Sequence, residues 1–245
     1  MRKTVALGLS VALIALLASC GRAGTSTEPD AGGGTVETVY LDGGWQVNGE
    51  ITGNTLTPEE AEVFEKAVGD LGFEPVALIG KQLVSGMNYA YLCKEDSAGT
   101  AWDVAVIYQD LSGDARFVGA NRIDLANVKT RPAKTDLTTG AWKVPAANDG
   151  LSLPGEADAV FDEAMVKLSE GEGGYALAPQ ALLGTQVVAG TNYLVLCLGT
   201  PLGTTEDLWN AYLLTMYQDL DGNVEVTSID ALDVAYYASP IEVID

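Results

Sequence analysis

Hydrophobic residues recur along this chain with the spacing of two amphipathic helices. In each case four apolar side chains are spaced i, i+3, i+4 and i+7, which places them on one helix face that packs against a core. The first stripe follows Thr57-Pro58-Glu59-Glu60, the pattern of a capping box with proline in the first turn. The second stripe begins less distinctly, between Ser152 and Glu156. The two stripes are Phe64, Ala67, Val68 and Leu71, and Phe161, Ala164, Met165 and Leu168.

Four strands are predicted after each helix, from apolar and β-branched runs that end at turn residues. Ser112-Gly113-Asp114 and Asp221-Gly222-Asn223 have the composition of tight turns and should close the last hairpin of each set. A short strand is also expected around Trp45 and around Trp142. The predicted strands are about 74–84, 87–95, 102–111 and 115–125, then about 175–188, 191–199, 208–219 and 223–233.

Three motifs repeat in the same order, which indicates two copies of one module. The added residues of the second copy fall between predicted elements, near Glu170–Tyr175 and Gly199–Glu206. We therefore expect an α+β fold with two modules at 42–128 and 140–245, joined by a linker at 129–139. Each module should pack one helix on a four- to five-stranded antiparallel sheet. The repeated motifs are Gly43–Val47 and Gly140–Val144, Gln82–Tyr89 and Gln186–Tyr193, and Tyr108–Leu111 and Tyr217–Leu220.

The N-terminal residues have the layout of a signal peptide, with Arg2 and Lys3 before an apolar run that is short for a membrane span. The run ends in Leu17-Ala18-Ser19-Cys20-Gly21, which resembles the bacterial lipobox, where a peptidase cuts before an acylated cysteine. We expect a signal peptide at 1–19, a lipid on Cys20 and a flexible tether over 20–41. Such a lipoprotein is held at a cell membrane on the exported side, through its lipid alone. An ordinary signal peptide with an incidental cysteine is the alternative.

Composition narrows the function classes. The formal net charge of −21 disfavours contact with nucleic acid and anionic lipid, and fits a solvated exported surface. The chain contains no histidine, which excludes Ser-His-Asp and Cys-His nucleophile systems and most zinc sites. An enzyme that uses only carboxylates or lysine stays possible, but no residue constellation supports one. We therefore expect a non-enzymatic monomer with no cofactor and no metal.

Two further features leave alternatives open. Residues 219–225 look slightly like a calcium loop but lack its twelve-residue ligand spacing, so a hairpin turn is the main interpretation. Cys93 and Cys197 occupy equivalent strand positions in the two modules. Equivalent positions in separate modules would not ordinarily touch, so two buried free thiols are favoured over a disulfide.

The Gln-x-Val-x-Gly pattern after a helix and a strand resembles the cystatins, inhibitors of papain-like cysteine proteases. Residues 185–193, which read TQVVAGTNY, are similar almost residue for residue to the first binding loop of the stefin branch. Gly140-Ala141, Val144-Pro145 and Asn148–Leu151 resemble the start of secreted cystatins. Neither copy carries the Pro-Trp of the second cystatin hairpin, and the short turns at Ser112-Gly113 and Asp221-Gly222 stand in its place.

The resemblance implies a rigid wedge that enters the protease cleft without offering a scissile bond. Val84 and Val188 would supply apolar contact, and the preceding glutamines would brace each bend by hydrogen bonding. An N-terminal glycine, Gly44 or Gly140, would let the preceding segment lie in the cleft. The function implied is surface-tethered inhibition of a papain-like cysteine protease; the alternative is a non-inhibitory protein- or glycan-binding module. The candidate loop residues are Gln82, Leu83, Val84, Ser85 and Gly86, and Gln186, Val187, Val188, Ala189 and Gly190.

Overall fold

A computed structural model describes nine stretches of the chain. The proposed signal peptide at 1–19 and the lipid site at Cys20 lie outside the described residues. No helix within the described stretches is long and apolar enough to cross a membrane. The described stretches are 24–29, 35–40, 43–47, 56–95, 101–130, 140–145, 153–170, 174–203 and 209–238.

Two paired strands lie in the segment that was expected to be a flexible tether. Strand β1 (Gly24–Pro29) pairs antiparallel with strand β2 (Thr35–Tyr40). They belong to a unit that ends at Tyr40, while residues 41–245 form a second compact unit. The expectation that the whole of 20–41 lacks regular structure is therefore revised.

The first half, residues 43–130, forms a five-stranded antiparallel sheet in the order β3-β4-β5-β6-β7. Its helix α1 begins with the predicted capping box: the Thr57 hydroxyl accepts from the Glu60 amide at 3.2 Å, and the Glu60 carboxylate accepts from the Thr57 amide at 3.0 Å. The elements are β3 (Trp45–Gln46), α1 (Pro58–Val68), β4 (Phe73–Val84), β5 (Gly86–Glu95), β6 (Trp102–Gln109), β7 (Ala115–Arg122) and a 3-10 turn (Leu125–Asn127).

The second half, residues 140–238, repeats this order in a four-stranded antiparallel sheet, β8-β9-β10-β11. An isolated bridge between Lys143 and Thr185 takes the place of β3. Strands β4 and β8 carry bulges at matching places, before Gly80 and before Gly184, which supports the alignment of the two copies. The elements are α2 (Ala157–Glu170), β8 (Tyr175–Val188), β9 (Gly190–Pro201), β10 (Asn210–Gln218), β11 (Val224–Ala231) and α3 (Val234–Tyr237).

The expected α+β class is wrong: the described chain is mainly antiparallel sheet, with only three short helices. The prediction placed a helix on one face of each sheet. In the structure each sheet is covered on both faces, and a helix covers only one of them. Six consecutive residues of β6, from Trp102 to Ile107, are buried, where a sheet with one solvent face would alternate buried and exposed side chains.

One face of each sheet packs against its own helix. Phe64 of α1 lies against Tyr91, with ring centroids 5.1 Å apart in an edge-on arrangement. Phe161 of α2 packs in the equivalent cluster of the second half. Cys93 and Cys197 are free, buried thiols in these two separate clusters, as favoured from the sequence, and burial raises the pKa of both.

The other faces of the two sheets pack against each other in a core shared by both halves. The indole N–H of Trp102 donates to the carbonyl of Leu183 at 2.7 Å, and the Lys94 ammonium donates to the carbonyl of Pro145 at 2.5 Å. The two halves therefore share one packed core. The buried residues of the shared core are Ala77, Ile79, Ala90, Leu92, Trp102, Val104, Ile123, Ala181, Leu183, Leu194, Leu196, Leu198, Ala211, Leu232 and Val234.

Candidate functional site

The hairpin between β4 and β5 turns at Gly86, and the hairpin between β8 and β9 turns at Gly190. Their φ angles are +133° and +124°, which side chains rarely adopt. Both glycines are buried, and a Cβ on either would collide with the main-chain oxygen of the opposite residue, Gln109 or Gln218. These two positions therefore require glycine for packing as well as for backbone angle.

Tyrosines from the neighbouring strands hold the two bends in place. The Tyr108 hydroxyl donates to the carbonyl of Ser85 at 2.6 Å, and the Tyr217 hydroxyl donates to the carbonyl of Ala189. The ring of Tyr108 would lie 2.9 Å from a Cβ on Gly86. At each bend the tyrosine ring therefore packs against the glycine and leaves no room for a side chain larger than hydrogen.

The glutamines that open the two motifs are hydrogen-bonded inside the hairpins. The side-chain oxygen of Gln82 accepts from the Asn88 amide at 2.7 Å, and that of Gln186 accepts from the Asn192 amide at 3.0 Å. The Gln82 amide also donates to the carbonyl of Gly43 at 2.9 Å. Gln82 thus connects the hairpin to the segment that precedes β3.

The N-terminal segment of each half runs beside its hairpin. The Gly43 amide donates to the carbonyl of Leu83 at 3.3 Å, and the Gly140 amide donates to the equivalent carbonyl of Val187 at 3.1 Å. Gly43 is therefore the structural counterpart of Gly140, and Gly44, the residue selected from the sequence, corresponds to Ala141. The repeated motifs Gly43–Val47 and Gly140–Val144 align the same two glycines.

A third segment lies at the same edge of each sheet: the turn 110–114 between β6 and β7, and the turn 219–223 between β10 and β11. Met87, directly after the Gly86 bend, pairs with Gln109, directly before the first turn, so bend and turn are neighbours. Leu111 and Leu220 are 89% and 84% exposed. Sequence reasoning missed both leucines, although the Tyr-Gln-Asp-Leu repeat with Leu next to turn residues marked them.

We call the three segments around Gly43, Gly86 and Leu111 the first loop edge, and those around Gly140, Gly190 and Leu220 the second loop edge. The bends contribute further apolar surface, but not as expected. Val84 is 40% exposed, whereas in the second half Val187 is 58% exposed and Val188 is half-buried. Val187, rather than Val188, presents the larger apolar surface of the second bend.

The two loop edges differ in charge next to the tyrosine. Arg116 pairs with Tyr108 across β6 and β7, and its guanidinium lies 4.9 Å from the ring centroid. Glu225 occupies the matching position and pairs with Tyr217. The same scaffold thus carries a cation at one edge and an anion at the other.

Carboxylates at the start of the two turns fix the loop geometry. Asp110 accepts from the amides of Ser112 and Asp114 at 2.8 and 3.0 Å, and Asp219 accepts from those of Asp221 and Asn223 at 2.9 and 2.8 Å. Hydrogen bonds from the Ser112 hydroxyl and from the Asn223 side-chain amide are the main cause of the lowered pKa values of Asp110 and Asp219. Residues 219–223 form a hairpin turn, which agrees with the main interpretation of that segment.

Comparison with known proteins gives no relative from which a role could be transferred: the chain matches no protein-family model and no curated protein.

Proposed function

We propose that this chain is an exported, lipid-anchored inhibitor of papain-like cysteine proteases, and that each loop edge acts as a wedge in a protease cleft. The observation that carries the proposal is the convergence of three segments at one edge of each sheet, with exposed apolar side chains at Val84 and Leu111, and at Val187 and Leu220. The remaining members of the wedge are main chain, which suits a cleft that binds extended peptides.

Rigidity of the bends supports this function. The Tyr108–Ser85 hydrogen bond and the Asn88–Gln82 hydrogen bond hold the first bend before any partner arrives. A loop that is already in its bound shape loses little conformational entropy on binding, which favours tight association.

The leucines at the turns take the role that Pro-Trp has in secreted cystatins. Exposed leucines recur at equivalent turns of the two halves, and each lies at the same sheet edge as an exposed valine, Val84 or Val187. Leu111 and Leu220 are the most exposed large apolar residues of the described chain. They would provide the second apolar contact of each wedge.

Titration of papain with soluble residues 41–245 tests the proposal. We expect stoichiometric inhibition by intact protein, with no cleavage seen by mass spectrometry. Leu111→Asp combined with Leu220→Asp should weaken inhibition, because losing one well-packed anchor costs about 2–4 kcal/mol, or roughly 30- to 1000-fold in affinity. Leu71→Asp combined with Leu202→Asp is the matched control, since these leucines are 55% and 53% exposed but lie outside both loop edges.

The outcomes separate inhibition from simple binding. Loss of inhibition in the edge variant, with full inhibition in the control, supports the wedge. A protein that inhibits no papain-like protease leaves the non-inhibitory binding module as the better description. Equal inhibition by both variants would mean that the loop edges are not the inhibitory surface.

The lipid anchor is tested separately. The Leu17-to-Gly21 sequence supports cleavage before Cys20 and acylation of its thiol. Two or three acyl chains give durable attachment where one chain would be marginal. Cys20→Ala should abolish acylation and either retain the precursor or release soluble protein. A mature wild-type N-terminus with no added lipid mass would rule the anchor out.

A further inference from the structure

The two loop edges face opposite ends of the 41–245 unit, as the contacts between the sheets show. Trp102 begins β6, at the end of the first sheet that is remote from the first loop edge. Its indole donates to the carbonyl of Leu183, five residues before the end of β8 at the second loop edge. The remote end of the first sheet therefore lies close to the second loop edge.

The reciprocal contact is made by the second sheet. Val234 follows β11, at the end of the second sheet that is remote from the second loop edge. Its side chain lies 3.3 Å from the position of a Cβ on Gly80, beside the Trp45 ring and four residues before the end of β4 at the first loop edge. The two sheets are thus stacked with opposite strand directions.

This arrangement fixes the distance between the two loop edges. Trp102 is seven positions before Gln109, and Leu183 is five positions before Val188. At about 3.3 Å per strand residue, the two loop edges are roughly 40 Å apart and point away from each other. A globular protease of about 200 residues has a radius of gyration of about 16 Å and a diameter of roughly 40 Å.

We infer that one chain holds two papain-like protease molecules at the same time, one at each end. The inference rests on the proposed function and adds to it the stoichiometry and the geometry of the complex. Because the edges point in opposite directions, a protease seated on one edge extends away from the protease on the other. The two proteases therefore do not clash with each other.

Contacts across the two halves keep this spacing constant. The Asn121 amide donates to the carbonyl of Tyr237 at 2.6 Å, and the Lys129 ammonium pairs with the Asp230 carboxylate at 2.5 Å. Together with the shared core, they join the two edges rigidly rather than through a linker. Because the two edges belong to one packed unit, we expect the second protease to bind with the affinity that its edge has alone.

The test uses papain whose active-site thiol has been methylated, so that complexes are not proteolysed, and measures complex mass by light scattering and stoichiometry by calorimetry. Residues 41–245 should bind two papain molecules. Val84→Asp with Leu111→Asp, and separately Val187→Asp with Leu220→Asp, should each leave one. All four changes together should leave none, and the control pair Leu71→Asp with Leu202→Asp should keep two.

Failure of this inference is distinguishable from failure of the proposed function. Saturation of the wild-type protein at one papain, with inhibition intact, would overturn the two-protease complex and leave the inhibitor proposal standing. Absence of both binding and inhibition would overturn the proposed function and the inference with it. If the variant with all four changes still binds two papain molecules, binding occurs on another surface. The assignment of both loop edges as protease sites is then wrong.

Discussion

The indole nitrogen of Trp102 lies 2.7 Å from the carbonyl oxygen of Leu183, a hydrogen bond between residues 81 positions apart and in different halves of the chain. Both residues are buried in the shared core, at 1% and 0% exposure. The bond joins the start of β6, at the end of the first sheet remote from the first loop edge, to the strand that leads to the second loop edge. Stability of the fold and orientation of the two edges therefore depend on the same interface.

The shared core predicts that the two halves unfold together. Separated fragments 42–131 and 137–245 would each expose a sheet face that is buried in the intact chain, so neither should fold cooperatively alone. The intact 41–245 unit should show one urea transition by both fluorescence and circular dichroism, and mixing the fragments should restore structure. Two separate transitions, each reproduced by one fragment, would contradict this prediction and restore the picture of two independent modules.

Replacing Gly190 should destabilise the fold, because this glycine is buried at the bend. Gly190→Ala places a methyl group against the main chain of Gln218 and the ring of Tyr217, at a positive φ. Strain and overpacking together should cost about 2–5 kcal/mol of unfolding free energy, measured by urea denaturation.

Gly222→Ala is the matched control for this change. Gly222 also has a positive φ, +88°, but no atom lies within 4 Å of its Cβ position. The strained backbone alone should lower the free energy of unfolding of Gly222→Ala by about 1–2 kcal/mol. Equal losses of unfolding free energy in Gly190→Ala and Gly222→Ala would show that the close packing around the Gly190 bend does not contribute to stability.

The lowered pKa of Asp219 predicts how the second loop edge responds to acid. A carboxylate whose folded pKa lies below its ordinary value of 3.8 stabilises the turn fully above that value, and the contribution is lost as pH falls through the folded pKa. The edge should therefore be unchanged between about pH 7 and about pH 5, and should loosen only below about pH 4. Inhibition of an acid-active protease would be retained over that range.

Nuclear magnetic resonance can follow this titration at the Asn223 amide, which donates to Asp219 at 2.8 Å. Its chemical shift should stay constant to about pH 4 and then move. Asp219→Ala should remove the titration, while Asp221→Ala should keep it. A midpoint above the ordinary aspartate value would show that the carboxylate is not stabilised as described.

Most of the local structure could be predicted from the sequence, because each element is determined by residues close to it in the chain. The Thr57–Glu60 capping box begins α1 where expected, and the strands end within a few residues of their predicted bounds. The packing of one sheet on the other could not be predicted from the sequence. The run from Trp102 to Ile107 is buried throughout in the structure, but it contains the charged Asp103, and its sequence does not say whether a helix or a sheet covers the second face.

The candidate site was only partly predictable for a related reason. Motif repetition located both bends, since Gly86 and Gly190 are required by backbone geometry that any copy of the fold must keep. The exposure of Val187 depends on strand register, because a one-residue slip moves each side chain to the other face of the sheet. Leu111 and Leu220 stand next to turn residues in a repeated motif, but the motif does not show how far each side chain is exposed.

The charge difference between the edges should make them prefer different proteases. Arg116 and Glu225 occupy matching positions opposite Tyr108 and Tyr217. A protease with a basic cleft rim should bind the second loop edge more tightly than the first, and high salt should reduce the difference because surface charges are screened. Glu225→Arg should weaken that binding by up to about 30-fold, because it replaces one exposed attraction by one exposed repulsion, each worth up to about 1 kcal/mol.

Inhibition constants measured at low and high salt, with the other edge blocked by its paired aspartate substitutions, test this preference. Arg116→Glu should make the first loop edge bind the basic protease more tightly, and the effect should fade as salt rises. Asp162→Arg is the control: it makes the same charge change as Glu225→Arg on an exposed position of α2, outside both edges. If Asp162→Arg weakens binding as much as Glu225→Arg, the total charge of the protein governs the association. A selective effect of Glu225→Arg assigns the preference to the residue beside Tyr217, where a protease rim would meet the second loop edge.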